Sequence, residues 1–191
     1  GITKINTGAF RNMKSVLSIV TPDSVTTIED NVFYNCKNLL SVTLGKNLTE
    51  FGYNYYECPK LIEIVNNSSL NFGGDNINVK KDGVSDIVNQ DGYLFYNLKN
   101  NNYLVDYVGH DKQLVMPNYY SGQTYKIYKY AFNYNDIIES VVMGEGVTDI
   151  GEYAFCACTN LKEIVMNEGL STIGRGAFSV CYNILELEIP K

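Results

Sequence analysis

Five cysteines, one histidine and a loose cluster of aspartates are the groups in this 191-residue sequence whose types invite chemistry. Cys156 and Cys158 stand as CxC, where a structural zinc site or redox pair would need CxxC, and five is an odd number for a disulfide framework. His110 lies in "GHDK" beside Asp111 and is the single histidine. As a general base it would need a Ser or Cys held against it by the fold, which adjacency to Asp111 does not provide. A solvated turn position suits its Gly and Asp neighbours. Asp75, Asp82, Asp86 and Asp91 invite calcium, but Ile77 fills the third position, where an EF-hand loop requires an oxygen ligand. No GK[ST] or GxGxxG context offers a phosphate cradle. These residues therefore assign no catalytic, cofactor-binding or metal position, and a non-enzymatic chain without a cofactor is expected.

The bulk numbers narrow the classes further. A composition 45% apolar and 19% charged is that of a globular domain, and a formal net charge of −6 argues against nucleic acid, which needs clustered Lys and Arg. No apolar run approaches the roughly 18 residues of a membrane span, so no membrane insertion is expected in this segment. Gly1 stands where an initiator Met would, and no charged-then-apolar leader follows it. The expectation is a segment of something longer, or one whose ends a partner covers, because neither end reads as a polar capping unit.

The elements that must position these groups announce themselves by repetition. "IGEYAF" at Ile150 returns as "IGRGAF" at Ile173, and the apolar leads Ile5, Ile28 and Phe51, then Ile127, Ile150 and Ile173, each step by 23 residues. Four and five positions on come Ala9-Phe10, Val32-Phe33, Tyr55-Tyr56, Ala131-Phe132, Ala154-Phe155 and Ala177-Phe178; eight on come Met13, Cys36, Asn135, Cys158 and Cys181. Offsets of zero, four, five and eight trace one face of a short helix. Thr27 with Asp30, and Asp149 with Glu152, read as capping boxes at its start. The second half of each unit carries phrases such as Leu39-x-x-Val42-x-Leu44, Ile138-x-x-Val141-x-Met143 and Leu161-x-x-Ile164-x-Met166. Their last apolar pair alternates as in a half-buried strand. One coil cannot bury its own apolar side, so coils stack and their strands form a parallel sheet.

The phrase "VTDIGEYAFCACTNLKEIVM" closely resembles the BspA-like (Treponema pallidum-type) leucine-rich repeats, with their recurring IGxxAFxxCxxLxxIxIP pattern. The resemblance covers residues 1–66 and 113–191 and departs at the third unit, where Phe51, Tyr55 and Tyr56 predict a local bulge. It implies an α/β solenoid: a right-handed superhelix of 23-residue coils with parallel strands and short helices. Proteins of this family include bacterial and protozoan surface proteins. Some are implicated in adhesion to host matrix proteins such as fibronectin and fibrinogen. The resemblance thus implies an extracellular or cell-surface location and a host matrix or surface protein as partner.

Residues 67–113 break the period. "NNSSLNFGGDNINVKKDGVSD" reads as a long polar loop, and "YLFYNL" and "YLVDYV" around "KNNN" read as a β-hairpin that replaces the helix of one coil. A single leucine-rich repeat domain over 1–191 is expected, with this hairpin-bearing insert at 67–113. Cys36, Cys158 and Cys181 share one coil position and should stack inside as small apolar filling or, alternatively, join neighbouring coils by a disulfide. Asn38, Asn160 and Asn183 form a second column whose amides should bind backbone groups in the turn.

If Val42, Ile64, Val141, Ile164 and Leu187 point inward, their neighbours must point out. The outward positions are Ser41, Thr43, Glu63, Val65, Ser140, Val142, Glu163, Val165, Glu186 and Glu188, a partly apolar strip that turns acidic toward its end. Such a strip serves either as a sheet lining chosen for strand propensity or as a face that binds a protein partner. Two functions follow from those readings: an interaction or adhesion module, or a spacer that presents another domain.

Overall fold

Alternate backbone N–H groups in each turn segment have no partner within their own coil, and this decides the architecture. The computed structural model describes residues 1–72 and 77–191. In the coil around Phe132, the N–H groups of Ala131, Asn133 and Asn135 bond the carbonyls of Tyr128, Tyr130 and Phe132, three residues back. The intervening N–H groups of Tyr130, Phe132 and Tyr134 instead reach the carbonyls of Glu152, Ala154 and Cys156 in the next coil, at 3.0, 2.7 and 2.9 Å. That next coil does the same: Tyr153, Phe155 and Ala157 bond Arg175, Ala177 and Ser179. An α-helix would return every one of these donors to a carbonyl four residues earlier in its own coil.

The expected short helices are therefore absent among the described residues. Each is a run of consecutive β-turns, and the chain is a β-solenoid, not an α/β one. Residues four apart in five of the six runs adopt left-handed backbone: Gly8 and Asn12, Asn31 and Asn35, Tyr130 and Tyr134, Tyr153 and Ala157, Gly176 and Val180, with φ between 53° and 70°. A right-handed helix cannot contain them. The capping boxes fail for the same reason. Thr27 and Asp149 lie in strands, and the Asp30 carboxylate accepts the Tyr53 N–H of the following coil at 2.7 Å.

Two compact units carry these coils, residues 1–85 and 86–191. In the first, the lead strands β1 (Lys4–Ile5), β3 (Thr27–Ile28) and β5 (Glu50–Phe51) make one parallel sheet. The leucine-phrase strands β2 (Ser18–Val20), β4 (Ser41–Leu44) and β6 (Glu63–Asn66) make a second, which β7 (Asn78–Lys81) extends. The stretch containing β7 reads as loop in the sequence, but Ile77 and Val79 pack on the core of this unit, and Val79 pairs in register with Ile64.

In the second unit β11 (Gln113–Val115), β13 (Ser140–Val142) and β15 (Glu163–Val165) form the leucine-phrase sheet. The lead-strand sheet runs β8 (Val88–Gln90), β9 (Tyr93–Leu98), β10 (Asn101–Tyr107), β12 (Tyr125–Ile127), β14 (Val147–Ile150) and β16 (Thr172–Ile173). The expected hairpin is β9–β10, turned by Lys99 and Asn100, both left-handed as a two-residue type I′ turn requires. It does not stand in for a helix. Leu104 of β10 pairs in parallel with Ile127, so the hairpin continues the lead-strand sheet.

Stacking within each unit is in register. Phe132, Phe155 and Phe178 lie face to face with ring centroids 4.8 and 5.4 Å apart, close to the spacing of neighbouring strands, and Phe10 stacks on Phe33. The glycines of the repeated "IG" permit that approach: a Cβ on Gly151 would sit 2.6 Å from the Lys129 nitrogen, and one on Gly174 2.7 Å from that of Glu152. The third coil shows the irregularity its sequence predicts. The Asn35 N–H meets Tyr56, one residue early, and the buried Asn54 side chain accepts the Val32 N–H at 2.8 Å.

Val180 is a β-branched residue held left-handed at φ 65°, where the first two coils carry Asn12 and Asn35. Val180→Asn should stabilise the protein by about 0.5–1 kcal/mol, because Asn tolerates this region and Val does not. Chemical denaturation checks it; an unchanged or lowered midpoint would show that no strain resides there.

Candidate functional site

The ten outward positions divide by unit. Ser41 pairs with Glu63 and Thr43 with Val65, as a shared face requires. Yet Ser41, Glu63 and Val65 are buried and Thr43 is half-buried. The expectation that these positions line a solvated face is corrected here. β6 is buried along both faces, the pattern of a strand packed on two sides. Glu63 is fully buried, with the Lys80 ammonium 3.8 Å away.

The second unit keeps its face open. Gln113, Ser140 and Glu163 form one row in register, and Val115, Val142 and Val165 the next. The three valines are 70%, 41% and 46% exposed, an apolar stripe one residue wide across the whole sheet. Val115 and Gln113 extend the strip by one strand beyond the sequence assignment. The alternation of Leu114 and Met116 about Val115 carried the signal. Glu186 and Glu188 are exposed as expected, but residues 184–191 form no strand, and Leu187 is partly exposed instead of inward-facing.

Charge gathers at the start of these strands. Glu139 sits between the lysines of the preceding and following coils, its two carboxylate oxygens each 2.7 Å from Lys112 and Lys162. The backbone repeats the link, since the Glu139 N–H bonds the Lys112 carbonyl and the Lys162 N–H bonds the Glu139 carbonyl. Hydrogen bonds from Lys112 and then Lys162 hold the Glu139 carboxyl down to about 2, and Glu139 in turn raises Lys112. The open face thus presents a cation-rich edge, a valine stripe and Glu163.

The groups that invited chemistry are placed elsewhere. His110 is exposed on the loop after β10, and the neighbouring Asp111 accepts the Tyr107 hydroxyl. Asp75 lies outside the described residues. Among those described, no three His, Cys, Asp or Glu side chains converge as a metal site would require. All five cysteines are free thiols. Their column has a role that composition did not suggest. Cys36, Cys58, Cys158 and Cys181 donate to the carbonyls of Phe10, Phe33, Phe132 and Phe155 in the preceding coil, at 3.0 to 3.2 Å. The asparagine column acts across coils too, with Asn38, Asn160 and Asn183 donating to Lys14, Asp136 and Thr159 carbonyls.

Stacked parallel coils with an open leucine-phrase sheet define a leucine-rich repeat protein. The BspA type leucine rich repeat region matches this chain in six copies over residues 1–81 and 123–191, and the chain belongs to that family. No curated protein matches it. Among solved structures it is similar to a leucine rich cell surface protein from Faecalibacterium prausnitzii A2-165, with TM-score 0.54 and 20% identity over 100% of this chain and 71% of that one. It is also similar to the Treponema pallidum leucine rich repeat protein, with TM-score 0.50 and 22% identity over 55% of this chain. The match spans 50% of the Treponema protein. At these identities the likeness is one of fold.

Two outcomes follow from this geometry. The Glu139 carboxyl is lowered from its ordinary 4.5, so its contribution is complete above that value and lost as pH falls toward about 2. Glu139→Gln should melt below the parent at neutral pH, with the gap closing between pH 4.5 and 2. A gap that persists to the acid end would exclude this source. Thiol labelling of the native protein should modify the half-buried Cys156 and Cys181 well before the buried Cys36, Cys58 and Cys158. Burial also lifts Cys58 to about 11. Uniform labelling of all five would contradict the stacked interior.

Proposed function

We propose that this chain is a non-enzymatic protein–protein interaction module, binding through the open face of β11, β13 and β15. One observation carries the reading: Val115, Val142 and Val165 are exposed in register across the whole sheet, while the equivalent row of the first unit is open at Val20, half-buried at Thr43 and buried at Val65. Sheet lining for propensity alone would need no such contrast. Aligned exposed valines on a rigid sheet offer a partner a continuous apolar contact. The Lys112–Glu139–Lys162 bridge and Glu163 beside it supply polar register. Membership of the BspA-type family and likeness to a cell surface protein support an extracellular setting. A host matrix or surface protein is the proposed partner class, with adhesion as the role.

Binding to immobilised fibronectin and fibrinogen, measured for the parent and for Val142→Glu/Val165→Glu, tests this directly. Each buried valine is worth about 1.5–3 kcal/mol, so the double variant should bind at least about tenfold more weakly while unfolding normally. Equal binding by a folded double variant, or no binding by the parent, would remove the proposal.

A further inference from the structure

The second unit carries a polar cleft on its other sheet, away from the valine stripe. The cleft holds about 310 Å³ and lies where the β9–β10 turn meets the start of β12 and β14. Its walls include Asn100, Asn101, Asn102, Gln123, Lys126 and Thr148. Asn100 is explained by its left-handed turn position, but the turn dictates neither of the two asparagines that follow. We propose that this cleft binds a neutral saccharide.

The amides are arranged before any ligand arrives. Asn102 is only 7% exposed. Its carbonyl oxygen accepts the Asn97 amide at 2.9 Å, and its own amide donates to Gln123 Oε1 at 3.1 Å and the Thr124 carbonyl at 3.4 Å. This chain fixes the Gln123 side chain with its oxygen occupied, so the Nε2 protons remain to donate. On the other wall the pairing of β12 with β14 skips a residue: Tyr125 meets Val147 and Lys126 meets Asp149. Thr148 is the extra residue of this bulge, a device that re-aims a side chain. Its hydroxyl donates to the Asp149 carboxylate at 2.7 Å, which leaves the hydroxyl oxygen able to accept.

The composition of the walls selects the ligand. Amide side chains both donate and accept, as sugar hydroxyls do, and several fixed amides can meet several hydroxyls at once. An anion is disfavoured because the Lys126 ammonium is already held 3.3 Å from Asp149. Tyr103 is the register partner of the lining residue Lys126 on the neighbouring strand, and its ring is set edge-on to Tyr128.

The test is a titration of the whole chain, isotope-labelled, with methyl α-mannopyranoside, methyl β-galactopyranoside and N-acetylglucosamine, and separately with inorganic phosphate. Nuclear magnetic resonance follows the side-chain amide signals. At least one saccharide should shift the Asn101 and Gln123 amides saturably, phosphate should not, and Gln123→Ala should weaken that saccharide by about tenfold. Thr148→Val, on the opposite wall, should weaken it as well, with backbone signals elsewhere unchanged. Three results would overturn the assignment: silence of these amides with every saccharide, a response to phosphate alone, or saccharide shifts that survive both substitutions undiminished.

Discussion

Every coil of this protein depends on hydrogen bonds it cannot make alone. The N–H groups of Tyr130, Phe132 and Tyr134 point out of their own coil and are satisfied only by the carbonyls of Glu152, Ala154 and Cys156 in the next. Inside the stack an unsatisfied donor would cost about 1–3 kcal/mol, and a coil taken alone could not bury its own apolar side, so coils are stable only together. Much follows from this constraint. The repeat must hold its length, since a shift by one residue would exchange outward-pointing donors for inward ones. Left-handed residues must recur four apart to turn alternate peptides sideways. Glycine must stand at 151 and 174 to let neighbouring backbones meet.

The same logic explains why the periodicity was legible and the helices were not. Spacing alone revealed the 23-residue period, the inward Val141 and Ile164 and the stacked Phe132, Phe155 and Phe178. Each reports burial, and burial recurs whether the segment is a helix or a run of turns. Backbone conformation separates the two, and only part of its signal is written in residue type. Gly8, Asn12, Asn31, Asn35 and Gly176 are residues that tolerate left-handed backbone, and at that spacing they speak against a helix. Tyr130, Tyr134, Tyr153 and Ala157 occupy the same column with no such preference, because neighbouring coils impose the conformation on them.

The candidate face was half legible for a related reason. Alternation identifies which residues of a strand point away from the core, but not whether something else covers them. Ser41, Glu63 and Val65 satisfy the pattern and are buried; Val142 and Val165 satisfy it and are open. The thiols show the converse. A cysteine column at a buried position reads as apolar filling, whereas its S–H groups serve as donors to phenylalanine carbonyls one coil away. Interaction across coils thus governs the backbone, the cysteines and the asparagines, while Val115, Val142 and Val165 of the second unit stay exposed.

Scalar couplings transmitted through hydrogen bonds report donor–acceptor pairs without inference from packing. In a deuterated, isotope-labelled sample the account predicts couplings from the Tyr130, Phe132 and Tyr134 nitrogens to the carbonyl carbons of Glu152, Ala154 and Cys156. Couplings from those nitrogens to carbonyls four residues earlier in the same coil would mean that the segment is helical, and would contradict it.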